Sequence, residues 1–213
     1  MKFKYLFAII GLLLVIIFFS FHKTPSLNNR IKNLELDQET IYLIQRGTTG
    51  KLGNVAKDFN IKNSYASHLG IGFLENNSLK IYHVYVDKSK NNSNLYIENI
   101  DDFIKPEDLN YLSVWKLRNI DSKSFRHIRQ TLIQSEKENI SFDFKFEESN
   151  NAYYCSEFIV RKLEESNVKI MSDHKKKIVG MISQILKKDT LTYFPVDGFE
   201  SSRNTTRIFE WVK

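Results

Sequence analysis

The stretch HLGIGFLENNSLKIYHVYVD, residues 68–87, constrains the fold more than any other in the chain. Two runs rich in β-branched and aromatic residues flank Glu75-Asn76-Asn77-Ser78. Asparagine tolerates the positive φ angles of a tight turn, so the stretch predicts an antiparallel hairpin. TIYLIQRG (40–47) and YLSVWKL (111–117) read as further strands. The polar, glycine-containing stretch 48–67 between them reads as a long loop with room for one helical turn. Phe125, Ile128 and Leu132 recur at helical spacing in 122–139, and Cys155, Phe158, Ile159 and Leu163 do so in 153–166. A third helix is expected over 176–188, and TYFPVDGF and RIFEWV near the end read as short extended pieces. Strands early, helices late and antiparallel pairing give an α+β fold.

Composition narrows the class. Apolar residues at 42% and charged residues at 26% suit one globular domain of 213 residues with a real core. The net charge of +6 is dispersed; its densest run, HKKK at 174–177, reads as a solvated helix end. No basic stripe joins a recognisable nucleic-acid module, so no nucleic-acid partner is expected.

The N-terminus differs from the rest. Lys2 and Lys4 precede seventeen uncharged residues, Tyr5–Phe21. A run of that size meets the lower end of the span a bilayer needs, about 17–25, and exceeds the apolar part of a cleaved signal, about 7–15. Phe18, Phe19 and Phe21 crowd the place where a cleavage site wants small residues, which favours an uncleaved anchor. The positive-inside rule then leaves the rest of the chain outside the cytoplasm, or secreted or periplasmic if the segment is removed. The expected organisation is an anchor or signal at 1–22, a polar tether at 23–35 and one domain at 36–213.

Cys155 is the one cysteine, so it cannot form an internal disulfide. It falls in the first turn of its expected helix, where free N–H groups and the helix dipole favour a thiolate. It also lies on the apolar face, where a free cysteine commonly serves as core filling. Of the five histidines, His22 belongs to the membrane edge, His127 to an exposed helix face and His174 to the lysine-rich surface. His68 opens the first hairpin strand beside Gly70 and Gly72, glycines that permit close backbone approach. His83 lies in the second strand. Residues whose numbers sum to about 151–154 lie opposite one another across this hairpin, which makes the two near neighbours. One imidazole could then orient the other, the logic of an activated nucleophile, or both could be half-buried strand histidines satisfied by backbone groups. His68, His83 and Cys155 would also supply three zinc ligands, at spacings matching no closed structural motif.

SHLGIGFLENNSLKIYHVYV, followed much later by FDFKFEESNNAYYCSEFIVRKL and TYFPVDGFESS, resembles the circularly permuted branch of the NlpC papain-like cysteine hydrolases, in particular the YiiX/YebB-like proteins. The similarity covers roughly residues 36–205. It implies a permuted papain-like domain, an antiparallel sheet or small barrel packed against helices. It further implies Cys155 as nucleophile, His68 as general base and His83 at the orienting position. Many members carry a carboxylate there, whereas lecithin:retinol acyltransferase-like relatives use a second histidine. Glu39-Thr40 stands where a Gly-Asp pair often precedes the first strand. The resemblance implies cleavage of an amide or ester in a cell-wall peptide or acyl lipid, with no cofactor, or acyl transfer from the same acyl-enzyme. A non-catalytic binding module on this fold, a tethered structural protein and a metal-dependent hydrolase are the other classes considered. The expected partners are a peptide or acyl-lipid substrate and, through the N-terminal segment, a membrane. The sequence leaves the oligomeric state open.

Overall fold

The computed structural model describes residues 26–87, 92–147 and 151–213. Contacts divide the chain into two units, Met1–Glu35 and Leu36–Lys213. In the first, helix α1 (Leu27–Lys32) is capped by the Ser26 hydroxyl, so part of the expected tether is helical. The apolar run Tyr5–Phe21 lies outside the described residues; among those described, no helix is long and apolar enough to cross a membrane.

The second unit is built on one eight-stranded sheet. Its first five strands in chain order are β1 (Ile41–Thr48), β2 (His68–Glu75), β3 (Ser78–Asp87), β4 (Asn92–Asn99) and β5 (Leu109–Leu117). The short β6 (Ser141–Phe142) and β7 (Ala152–Tyr153) and the C-terminal β10 (Thr205–Val212) complete it. The order across the sheet is β10-β5-β1-β2-β3-β4-β6-β7. Every pairing is antiparallel except β6 with β7. A separate two-stranded ladder joins β8 (His174–Lys177) to β9 (Thr190–Tyr193).

The expected hairpin is β2–β3. Asn76 and Asn77 both take positive φ, 52° and 61°, and the register runs from Glu75↔Ser78 to Ile71↔Tyr82. A Cβ at Gly72 would lie 2.3 Å from the Lys80 carbonyl oxygen, so only glycine lets the two backbones come this close. Leu69, Ile71 and Phe73 of β2 and Tyr82 and Val84 of β3 share one core with α4 (Ser122–Ser135) and α5 (Cys155–Glu164). The helices contribute Phe125, Ile128 and Leu132 from α4, and Phe158, Ile159 and Leu163 from α5, the apolar positions their periodicity marks.

Three expectations need correction. The loop 48–67 carries α2 (Lys51–Lys57), longer than one turn, and β4 and the short α3 (Ile100–Phe103) fall where no element was read. The third helix is only α6 (Met181–Leu186). His174–Lys177 before it is a fully exposed strand rather than a helix end, because it pairs with β9 in register His174↔Tyr193.

Candidate active site

Four neighbouring strands each contribute one side chain to a row in which Arg46, His68 and His83 are buried and Glu98 is half-buried. Arg46 of β1 pairs in register with His68 of β2. The β2–β3 numbers sum to 153, so His68 and His83 are diagonal neighbours on one face of the hairpin without a bulge. His68 Nε2 lies 2.8 Å from His83 Nδ1, and His83 Nε2 lies 3.1 Å from Glu98 Oε2 of β4. His83 has no exposed surface and His68 retains 7%. A Cβ on Gly70 would meet Ile81 and Phe103, so that glycine also keeps the row compact.

The hydrogen bonds fix the tautomers. The Glu98 carboxylate can only accept, so His83 carries its proton on Nε2. Burial holds His83 neutral, lowering its pKa to about 4 despite the bond to Glu98 that works the other way. Its Nδ1 is then an acceptor, and His68 donates from Nε2. Burial also holds His68 neutral, assisted by the Arg46 charge, so its Nδ1 keeps a lone pair. A neutral His68 with a lone pair on Nδ1 can accept a proton there.

Cys155 begins α5, and Tyr154 before it takes the extended N-cap conformation. The residue is buried, at 8% exposure. The backbone N–H groups of Leu69, the residue next to His68, and of Ser156 favour its anion. The first turn of α5 thus abuts β2 just beyond the last paired residues, Ile71 and Tyr82. The helix start was expected to shift the thiol toward thiolate; instead burial raises its pKa, outweighing the N–H donors and the nearby Arg46 charge that favour the anion. The resting group is a thiol.

Sequence reasoning missed two members of this row. Arg46 is 3% exposed and sits 4.7 Å from the Tyr85 ring centre and 4.6 Å from that of Phe103. Its Nη1 donates to the Phe103 carbonyl at 2.6 Å. An arginine at a strand end reads as surface, and nothing local marks this one as buried. Glu98 was also overlooked; it sets a carboxylate against His83 from one strand beyond the hairpin position where many family members carry one. His127 and His174 are exposed and lie outside the site, as expected.

The segment Phe194–Asp197 ties both halves of the site together. The Tyr154 hydroxyl accepts from the Phe194 N–H at 2.8 Å, and Ser156 Oγ donates to the Phe194 carbonyl at 2.6 Å. Three residues on, the buried Asp197 carboxylate accepts from the N–H groups of Ile61, Lys62 and Asn63, with distances of 2.7–3.0 Å. That loop leads into His68. One segment therefore holds the helix of the thiol and the approach to the imidazole.

A family profile for permuted papain-like amidase enzymes of the YaeF/YiiX type, the C92 family, matches residues 51–189. The chain belongs to this family. The matched span of this C92 member contains His68, His83, Glu98 and Cys155, while Arg46 and Phe194–Asp197 lie outside it. Membership supports an enzyme with a cysteine-hydrolase type of activity in general. Among solved structures, the crystal structure of metalloprotein yiiX from Escherichia coli O157:H7 is similar in fold. It is 13% identical, has a TM-score of 0.60, and the match covers 82% of this chain and 98% of that one. None of the curated proteins compared matches.

The word metalloprotein describes yiiX, and the described residues of this chain do not offer a set that fits a resident metal. Among the described residues no group of three or more His, Cys, Asp or Glu could hold an ion. Both ring nitrogens of His83 are already engaged, by His68 and Glu98.

Proposed function

We propose that the protein is a cysteine hydrolase that cleaves an amide or ester bond with Cys155 as nucleophile and His68 as general base. His83 and Glu98 act as positioning residues behind His68. The observation that carries this reading is the hydrogen-bonded series Glu98–His83–His68, which leaves His68 Nδ1 unprotonated, next in the chain to Leu69, whose N–H favours the Cys155 thiolate. Such a series is what a base needs to be oriented and supplied with the correct tautomer.

In the first step the Cys155 proton moves to His68 Nδ1 as the sulfur attacks the carbonyl carbon. The carbonyl oxygen becomes an oxyanion facing the Cys155 backbone N–H, which no helical carbonyl claims at the helix start. Collapse breaks the bond to the leaving amine or alkoxide, which takes the proton from His68 and leaves a thioester. Water, deprotonated by His68, then attacks the thioester; a carboxylic acid departs and the thiol is restored. The substrate is an acyl lipid or a cell-wall peptide, the first favoured by the apolar run Tyr5–Phe21, which would hold the domain beside lipid.

Mass spectrometry of full-length protein after brief exposure to an acyl-lipid ester and to a peptidoglycan stem peptide tests this. The expected result is an acyl adduct on the Cys155 peptide and turnover reduced about 10²- to 10⁴-fold by His68→Ala. Hydrolysis that survives Cys155→Ala unchanged would sink the proposal.

A further inference from the structure

Between His174 and Lys188 the chain reads HKKKIVGMISQILKK, five lysines without one carboxylate. This segment forms β8, the turn at Gly180 and α6, and its ladder returns through β9. Ile178, Ile182 and Leu186 pack inward, in a cluster with Tyr154, Leu191 and Tyr193. Val179, Met181 and Ile185 point the other way, at 72%, 74% and 70% exposure, the three most exposed large apolar side chains among the described residues. A helix apolar on both sides normally has something against each of them. Here the inner side is covered by the protein and the outer side is bare.

The charges around the bare side indicate what covers it. Lys176 is held by the Asp58 carbonyl and lies over the Phe59 ring, and Lys188 is held by the carbonyls of Lys145 and Phe146. These two lysines fasten the hairpin to the body. Lys175, Lys177 and Lys187 are exposed around Val179, Met181 and Ile185 in sequence. Apolar side chains at a tip with a lysine rim match the acyl boundary and head groups of an anionic bilayer. The same rim opposes pairing with a second copy, because it would set lysines against lysines.

We propose that the β8–α6–β9 hairpin is a membrane-docking tip, inserting Val179, Met181 and Ile185 among the lipids of an anionic bilayer while Lys175, Lys177 and Lys187 meet the head groups. This surface lies far in sequence from the run Tyr5–Phe21 and does not depend on the hydrolase chemistry. Its inner side packs on Tyr154, the residue before Cys155, so docking sets the start of the nucleophile's helix one side-chain layer from lipid.

The test uses full-length protein carrying Met181→Trp, reconstituted into vesicles of phosphatidylcholine mixed with phosphatidylglycerol, with wild type subtracted for Trp115 and Trp211. The expected result is blue-shifted emission, quenched by bromine placed on the acyl chains near the head groups. Both signals should fall in pure phosphatidylcholine and when Lys175, Lys177 and Lys187 are changed to Glu, each lysine counting for about fivefold in partitioning. Emission that stays water-like and unquenched in the anionic vesicles overturns the proposal. Quenching of equal strength in neutral vesicles also overturns it, since the lysines would then select nothing. Cross-linking between copies through position 181 in place of quenching would assign the face to a second copy and overturn it as well.

Discussion

At Cys155 and His68 the site stores neither charge of the proposed reacting pair. Burial raises the thiol and lowers the imidazole, so both are neutral at pH 7, and in the proposed reaction proton transfer accompanies attack rather than preceding it. Alkylation of Cys155 by iodoacetamide should therefore rise with a midpoint above the ordinary thiol value of about 8.5. Arg46→Met should move that midpoint higher still, since the arginine is a nearby charge favouring the thiolate. A rate already at its plateau near pH 7 would mean a preformed ion pair and contradict the neutral resting state. Glu98 acts two imidazoles away, by holding His83 in the tautomer that accepts from His68. Glu98→Gln can keep a hydrogen bond but can present its amide the wrong way round. A loss of about ten- to hundredfold in kcat, with KM little changed, is expected from steady-state kinetics. An equal change in KM alone would place Glu98 in substrate binding instead.

Among the elements, the short Phe194–Asp197 segment is placed where its loss is felt on both sides of the site. Asp197→Ala removes the acceptor of three backbone N–H groups in the loop before His68. Hydrogen bonds to a charged acceptor are each worth about 1.5–3 kcal/mol, and the freed donors can partly recover water, so a loss of about 2–4 kcal/mol is expected in urea unfolding. Asp197→Asn, which keeps an acceptor oxygen, should lose less. Much of this architecture was legible in the sequence where local chemistry dictates local structure. The paired asparagines at positive φ announced the β2–β3 hairpin, and its register brought His68 and His83 together. The apolar spacing of α4 and α5 likewise declared their buried faces. Legibility ended where a residue's role is set by a strand distant in the chain. Arg46 and Glu98 look like surface charges until β1 and β4 are laid beside the hairpin. In NSNLYIEN no regular alternation marks β4, and the 176–188 stretch read as one helix because its apolar spacing conceals the turn at Gly180.

For the molecule as a whole, the buried histidines of the row across β1–β4 make stability depend on pH. His68 and His83 are neutral when folded, with pKa values depressed, that of His83 from 6.5 to about 4. The unfolded chain binds protons at both histidines as pH falls through about 6.5, while in the folded chain His83 does not until about 4 and His68 is held neutral well below its ordinary value. More protons on the unfolded state means stability rises with pH across that window, so it is full above the unfolded value and is lost on acidification. Arg46 packed beside the row reinforces the effect by opposing a second positive charge, and Glu98 moderates it by favouring protonated His83. Each tenfold difference in proton affinity corresponds to about 1.4 kcal/mol, so the loss should reach a few kcal/mol by the acid end. Urea midpoints taken from pH 7 down to pH 4.5 should fall steadily, and His83→Gln should flatten the fall while lowering the pH 7 value. Midpoints that stay level in wild type over this range would mean that the imidazoles take up protons inside the fold, and the neutral row derived from their burial would be wrong.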